Sequence, residues 1–192
     1  MFEVFERYLR EWVDISDEEM QVIRAACIEK KVRKWEHLLH DGEIWKINCF
    51  IASGCFRLYG LGKDGADHTL RFGIENWWIC DRESYYNDAP SKFNVEALSS
   101  SVVIIWTREK WGELLNTIPS LKIFNEQLME RGYIMNQLRV FSLISISAEE
   151  KYQEFKNLYP KVFNKVPLHM VASYLGISRE TLSRVRKEDR KK

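Results

Sequence analysis

Between Val32 and Trp106 the chain never sustains a helical pattern. Short apolar or aromatic runs such as "KINCFIASGCFRLYGL", "HTLRFGI" and "FNVEALSSSVVIIW" are cut by Gly42, Gly54, Gly62, Gly65 and Gly73. Runs this short bury their side chains as strands of a sheet folded onto another sheet, and "GKDG" is a strong turn signal between two of them. The texture points to a small sandwich or barrel rather than a parallel sheet, whose strands would alternate with helices.

Helical patterns flank this stretch. Residues 1–31 read as helical: Phe5, Leu9, Trp12 and Val13 recur at helical spacing, and Ser16 with Glu19 forms a capping-box signature. After the strands, "TREKWGELLNTIP" offers Thr107 as N-cap, with Lys110 at the third helical position. The longest pattern then runs over about 120–145. Leu121, Phe124, Leu128, Met135 and Leu138 make one stripe, interrupted by Arg131. Ile123, Ile134, Phe141 and Ile144 make a second. Two stripes suit a helix packed on its own barrel and also on a second helix, which favours a dimer seam; a wide core face is the alternative. "SAEEKYQEFKNLYP" begins a further helix with Ser147 as cap and Glu150 at the capping-box position.

The last stretch, "VASYLGISRETLSRVR", carries two short helical patterns about Gly176. Glycine suits the left-handed conformation just past a helix end, and Ser178 is a good N-cap for the second helix. Two short helices joined this way form a helix-turn-helix, whose second helix can enter the major groove, or an ordinary αα-hairpin closing a core. Charge favours DNA. Residues 161–192 hold nine Lys and Arg against three acids, +6, which leaves −5 on the other 160 residues of a chain with net charge +1. A duplex binder needs a positive surface locally, not overall.

Composition narrows the remaining classes. An apolar share of 45% with 13% aromatics supports a real core and excludes disorder. No apolar run reaches membrane-spanning length and "MFEVFERYLREWVD" is too charged for a signal peptide, so a cytoplasmic protein is expected. Cys27, Cys49, Cys55 and Cys80 lack CxxC spacing and read as buried small hydrophobes rather than a zinc knuckle or disulfide framework. No nucleophile–base–acid arrangement is visible. His37 and His40 are the only close histidine pair, too few for a barrel metalloenzyme, so neither an enzyme nor a metal site is expected.

Helix, glycine-punctuated roll, long helix and C-terminal helix-turn-helix, in that order, resemble the Crp/Fnr family of bacterial transcription regulators. "HDGEIWKINCFIASGCFRLYGLGKDGADHTLRFG" looks like the first part of that family's cyclic-nucleotide-binding-like roll, with Gly42, Gly54 and Gly65 at its recurring turns. "GISRETLSR" is close to its recognition-helix signature, and "IENWWICD" with "SKFNVEAL" resembles the branch common in Bacteroidetes. The resemblance implies an α+β fold in three parts. These are a jelly-roll-like double-stranded β-helix effector domain with N-terminal helices over 1–118, a connecting and dimerisation helix over 119–145, and a DNA-binding helix-turn-helix domain over 146–192. It also implies a homodimer on double-stranded DNA, RNA polymerase as a further partner, and an unidentified small-molecule effector.

The resemblance places Arg179, Glu180 and Arg184 at base-reading positions. Ser178, Thr181, Ser183 and His169 then serve as phosphate or sugar contacts, and Lys187, Arg190, Lys191 and Lys192 as general attraction. The alternative for the first group is a solvated helix with a Glu180–Arg184 ion pair. Where cyclic-AMP-binding members carry Gly-Glu and Arg-Ser, this chain aligns Cys80-Asp81 and Ser91-Lys92. Asp81 is one methylene short, Ser91 lacks the guanidinium fork, and Lys92 supplies only a point charge. Trp77, Trp78, Tyr85 and Tyr86 beside this cassette either line a pocket or fill it. Cyclic AMP is therefore not expected, nor haem, nor an iron–sulfur cluster, since residues 1–26 lack cysteine. Many members continue beyond the recognition helix, whereas this sequence stops at Lys192. A ligand- or partner-binding module without DNA binding is the competing function.

Overall fold

The computed structural model describes residues 1–160, 162–163 and 166–190. The glycine-cut stretch folds into two antiparallel four-stranded sheets facing each other. One contains β1 (Ile28–Val32), β8 (Ser101–Thr107), β3 (Ile47–Ser53) and β6 (Trp77–Ile79), in that order. The other is ordered β2 (His37–Leu39), β7 (Phe93–Ala97), β4 (Cys55–Leu61) and β5 (Asp67–Ile74). Each sheet alternates elements from distant parts of the chain, which gives a jelly-roll-like α+β fold. Its interior is packed with side chains, among them Trp45, Cys49, Ile51, Phe56, Ile79, Val95 and Val103.

Glycine is required at the β3–β4 corner. Gly54 has φ +103°, and a Cβ there would lie 2.5 Å from the Ser101 Cβ and 2.8 Å from its Cα. Gly42 and Gly65 also take positive φ, the latter closing the "GKDG" turn.

Helices α1 (Phe2–Arg10) and α2 (Asp17–Ala25) cover the first sheet, together with α4 (Arg108–Thr117) and the start of α5 (Pro119–Ser145). The Ser16–Glu19 capping box forms, and Thr107 caps α4 through the Lys110 amide. Residues 28–31 are not helical: they belong to β1. Its ladder to β8, from Ile28↔Ile105 to Val32↔Ser101, overrides the local pattern because pairing with a distant strand satisfies its backbone.

The 27-residue α5 divides its apolar residues unequally. Leu121 and Phe124 are fully buried in this chain's own first core and Leu128 packs against it, so those three are held by the roll rather than offered to a partner. Met135 (39% exposed), Leu138 (57%), Phe141 (65%) and Ile144 (80%) remain outside. The long stripe is thus a core contact at its start and free surface at its end. No helix among the described residues is long and apolar enough to cross a membrane.

The C-terminal helices are α6 (Ala148–Leu158), α7 (Leu168–Leu175) and α8 (Arg179–Asp189), with the Ser147–Glu150 capping box starting α6. They do not form a core of their own. Tyr152, Phe155, Tyr159 and Tyr174 pack with Phe72 and Leu98 of the roll, and Trp77 joins them. The backbone is joined too: the Ser173 hydroxyl accepts from the Thr69 amide (2.8 Å) and donates to the Asp67 carbonyl (3.0 Å), which fixes α7 along β5.

Candidate nucleic-acid interface

The terminal unit is built by its caps. Gly176 sits at φ 65°, ψ 35° past α7, and the Ile177 amide donates back to the Ala172 carbonyl at 3.1 Å. That left-handed exit costs any residue with a Cβ more than glycine. Ser178 then caps α8 by accepting from the Thr181 amide at 3.1 Å. Val171, Ala172 and Leu175 meet Leu182 and Val185 in the interior, so the opposite side of α8 is free. Arg179, Glu180, Ser183, Arg184, Lys187 and Glu188 share that exposed face. Ser178 is exposed at the helix start, Thr181 half-buried beside it, and His169 half-buried on α7.

The charges on this face are arranged by tertiary contacts. Arg184 pairs with Glu149 of α6 at 3.3 Å and with Glu188 at 3.4 Å, and no Glu180–Arg184 ion pair forms among the described residues. Its own backbone amide, aided by the Ser178 hydroxyl, holds the Glu180 carboxyl below the usual carboxylate range, so it is an anion at neutral pH. Lys156 and Gln153 both bond Asp189, tying the end of α8 to α6. Lys191 and Lys192 lie outside the described residues, as do Lys161 and Lys165. Glu149, Ser173 and Arg139, which donates to the Tyr174 carbonyl at 2.7 Å and stacks on its ring, left no signal in the sequence; each acts across more than thirty residues.

The residues of the second candidate site are brought together only in part. Trp78 lies beneath the N-terminal helices, stacked on Trp106 at 5.8 Å, while its neighbour Trp77 turns to Tyr159 at 5.4 Å. Strand alternation separates them, so they cannot share a pocket. Tyr85 is buried in the roll, its hydroxyl accepting from the Asn48 amide nitrogen at 2.6 Å, and Tyr86 is 59% exposed. Asp81 and Ser91 do meet. The Ser91 hydroxyl donates to Asp81 Oδ2 at 2.6 Å, and Asp81 Oδ1 accepts from the Glu83 amide at 3.1 Å as N-cap of α3 (Arg82–Asn87). Both residues are buried and serve each other. Lys92 turns outward, 3.9 Å from Glu83.

Cys49 is wholly buried and the other three cysteines partly so. Burial pushes the Cys49 thiol up and the Cys80 thiol up to about 12, which leaves neither as a thiolate. His37 and His40 stack at 4.4 Å. Among the described residues no group of three or more His, Cys, Asp or Glu is placed to hold a metal ion.

Set against known proteins, the roll is the decisive part. Residues 29–117 match the cyclic nucleotide-binding domain. The solved structures agree on the wider architecture. FixK2 from Bradyrhizobium japonicum superposes with a TM-score of 0.71 at 16% identity, covering 84% of this chain and 83% of that one. CLP, a c-di-GMP responsive global regulator from Xanthomonas campestris, gives 0.71 at 11% identity over 91% and 92%. A protein assigned to the Crp/Fnr regulators, from Eubacterium rectale, gives 0.70 at 16% identity over 95% and 87%. The arrangement of roll, long helix and helix-turn-helix is therefore a fold shared with these regulators. No curated protein is significantly similar to the chain in sequence.

Proposed function

We propose that the chain is a sequence-specific, dimeric DNA-binding transcription regulator of Crp/Fnr type. The observation that carries this reading is the free face of α8: Arg179, Glu180, Ser183, Arg184 and Lys187 project together while Leu182 and Val185 hold the helix from behind. Arg179 and Arg184 suit guanine O6 and N7, and Glu180 suits the cytosine amino group. Ser178, Thr181, Ser183 and His169 position the helix on phosphates and sugars, with Lys187 adding attraction. The exposed end of α5, from Met135 through Leu138 and Phe141 to Ile144, supplies the two-fold contact, since palindromic sites call for two-fold proteins. The functional division is then effector domain 1–118, dimerisation helix 119–145 and DNA-binding domain 146–192, acting in the cytoplasm with RNA polymerase as downstream partner.

Cyclic AMP is not the effector in this reading. Asp81 and Ser91 are bonded to each other, Lys92 faces solvent, and Trp45 with its neighbours fills the roll. Selection from random duplexes is expected to return a palindromic motif bound by a dimer. A monomer at micromolar concentration, or no enriched motif, refutes the proposal, and saturable low-micromolar binding of cyclic AMP by calorimetry refutes its last part.

A further inference from the structure

The β4–β5 hairpin is irregular beside the serine that holds α7. Leu58 pairs with Arg71 and Tyr59 pairs with Thr69, so Leu70 is an extra residue on β5, a β-bulge. A bulge leaves one residue out of the ladder and bends the strand that carries it. The C-terminal helices hold β5 on both sides of this bend. On one side Phe72 packs against the Phe155, Tyr159 and Tyr174 rings, with centroid separations of 5.3 to 5.8 Å. On the other, Ser173 bonds the Asp67 carbonyl and the Thr69 amide. The angle of α7 to the roll therefore follows the angle of the bend.

One side chain crosses the bulge. Arg57 stands opposite Phe72, and its guanidinium extends over the Tyr59 ring, 4.0 Å from the centroid, to donate to Asp67 Oδ2 at 2.6 Å. Its Nε donates to Glu96 Oε1 on β7, the neighbouring strand. His37 of β2 flanks Glu96 on the other side, its Nε2 3.8 Å from Oε2 and 3.1 Å from the Tyr59 hydroxyl. Arg57 and Glu96 are 5% and 6% exposed. A pair so buried contributes little net stability, because desolvating both charges offsets their attraction. What it supplies is direction. The planar guanidinium has fixed donor angles, and with Nε committed to Glu96 the Nη1 nitrogen is aimed at Asp67.

We propose that Arg57 is the positioning residue of the DNA-reading unit: it braces the bulge at Leu70, fixes Asp67 for the Ser173 hydroxyl, and so sets the orientation in which α7 presents α8. This rests on the DNA-binding reading above. Arg57 acts through Asp67 and Ser173, not on a base or phosphate. Its ion pairs link β7, β4 and β5, so the orientation is inherited from the central strands of the second sheet rather than from its edge.

Asp67→Ala cuts the brace and keeps the buried Arg57–Glu96 pair, and since the Asp67 side chain is 31% exposed the roll should still fold. Hydrogen exchange of the full chain, read residue by residue, should show the Thr69 amide at least about tenfold faster, with the amides of β7 unchanged. Ser173→Ala sets the reference for that loss, because it removes the acceptor itself. A double Arg57→Met, Glu96→Met variant, which replaces the pair without leaving a lone buried charge, should reproduce the Asp67→Ala pattern. On a selected operator, Asp67→Ala should bind about two- to tenfold more weakly with base preferences unaltered, and should add nothing in a Ser173→Ala background. A merely structural loss would instead speed exchange across β7 and add to Ser173→Ala. Unchanged Thr69 exchange in both brace variants, faster exchange with undiminished operator affinity, or additive losses with Ser173→Ala each overturn the inference. A parent chain that binds no duplex refutes the DNA-binding reading instead, and Thr69 exchange still decides the brace.

Discussion

Replacing Glu149 with Gln tests whether α8 is a reading helix held in reserve. The carboxylate lies 3.3 Å from Arg184, and the two side chains are 48% and 57% exposed. A pair this open contributes about 0.2–1 kcal/mol after solvent screening. Glu149 also sits in the first turn of α6, where a carboxylate gains about 0.3–1 kcal/mol from the helix dipole. The substitution should therefore lower stability by about 1 kcal/mol, or about 2–4 °C in a chain of this size. Operator binding should move the other way. If Arg184 must leave Glu149 to reach a base, removing the pair saves that release, which tightens binding by about 1.4- to 5-fold. Fluorescence anisotropy on a selected operator measures this, with Arg184→Ala and the double variant completing a cycle. The gain should vanish once Arg184 is absent, apart from a sequence-blind part that falls with salt. Weaker operator binding by Glu149→Gln, or an equal gain in the Arg184→Ala background, would refute the reasoning.

The same geometry sets three further outcomes. Arg184→Ala should cost about 1–3 kcal/mol of discrimination at one base position, whereas Lys187→Ala should weaken all sequences evenly and lower the salt slope; competition over single-base operator variants separates them. Phe141→Glu, at a position 65% exposed, should shift the dimer towards monomer in sedimentation while leaving thermal stability of the single chain nearly unchanged. Gly54→Ala should destabilise the roll by about 2–5 kcal/mol in urea unfolding, combining a left-handed backbone with overlap onto Ser101, and Ser101→Gly should restore only part of that. Full rescue would mean that the corner does not need its positive φ.

The sequence makes legible whatever the chain decides locally. Ser16, Thr107, Ser147 and Ser178 cap the helices their positions announce, and Gly176 ends α7 in the left-handed conformation. Capping and turn chemistry act within four residues, so the pattern alone carries them. The strand β1 is hidden because its reason lies in β8, more than seventy residues away. The apolar stripe of α5 is visible, but a stripe does not name its neighbour; Leu121 and Phe124 meet the roll while Phe141 and Ile144 do not. Trp77 and Trp78 look like one aromatic wall, yet adjacent strand residues face apart. The exposed face of α8 is implied by helical periodicity, and its ion pair with Glu149 is not.

The serine clasp between α7 and β5 changes what kind of machine this is. Ser173 holds the strand by both a carbonyl and an amide, and the aromatic residues beside it seal roll and reading unit into a shared interior. A reading head on a tether finds its own angle on the duplex; one clasped to a sheet inherits the sheet's. If two of these chains bind a palindrome as proposed, the separation of the half-sites they can span is set by where β5 lies relative to α5, and a change of one residue along that strand should alter the operator without touching α8.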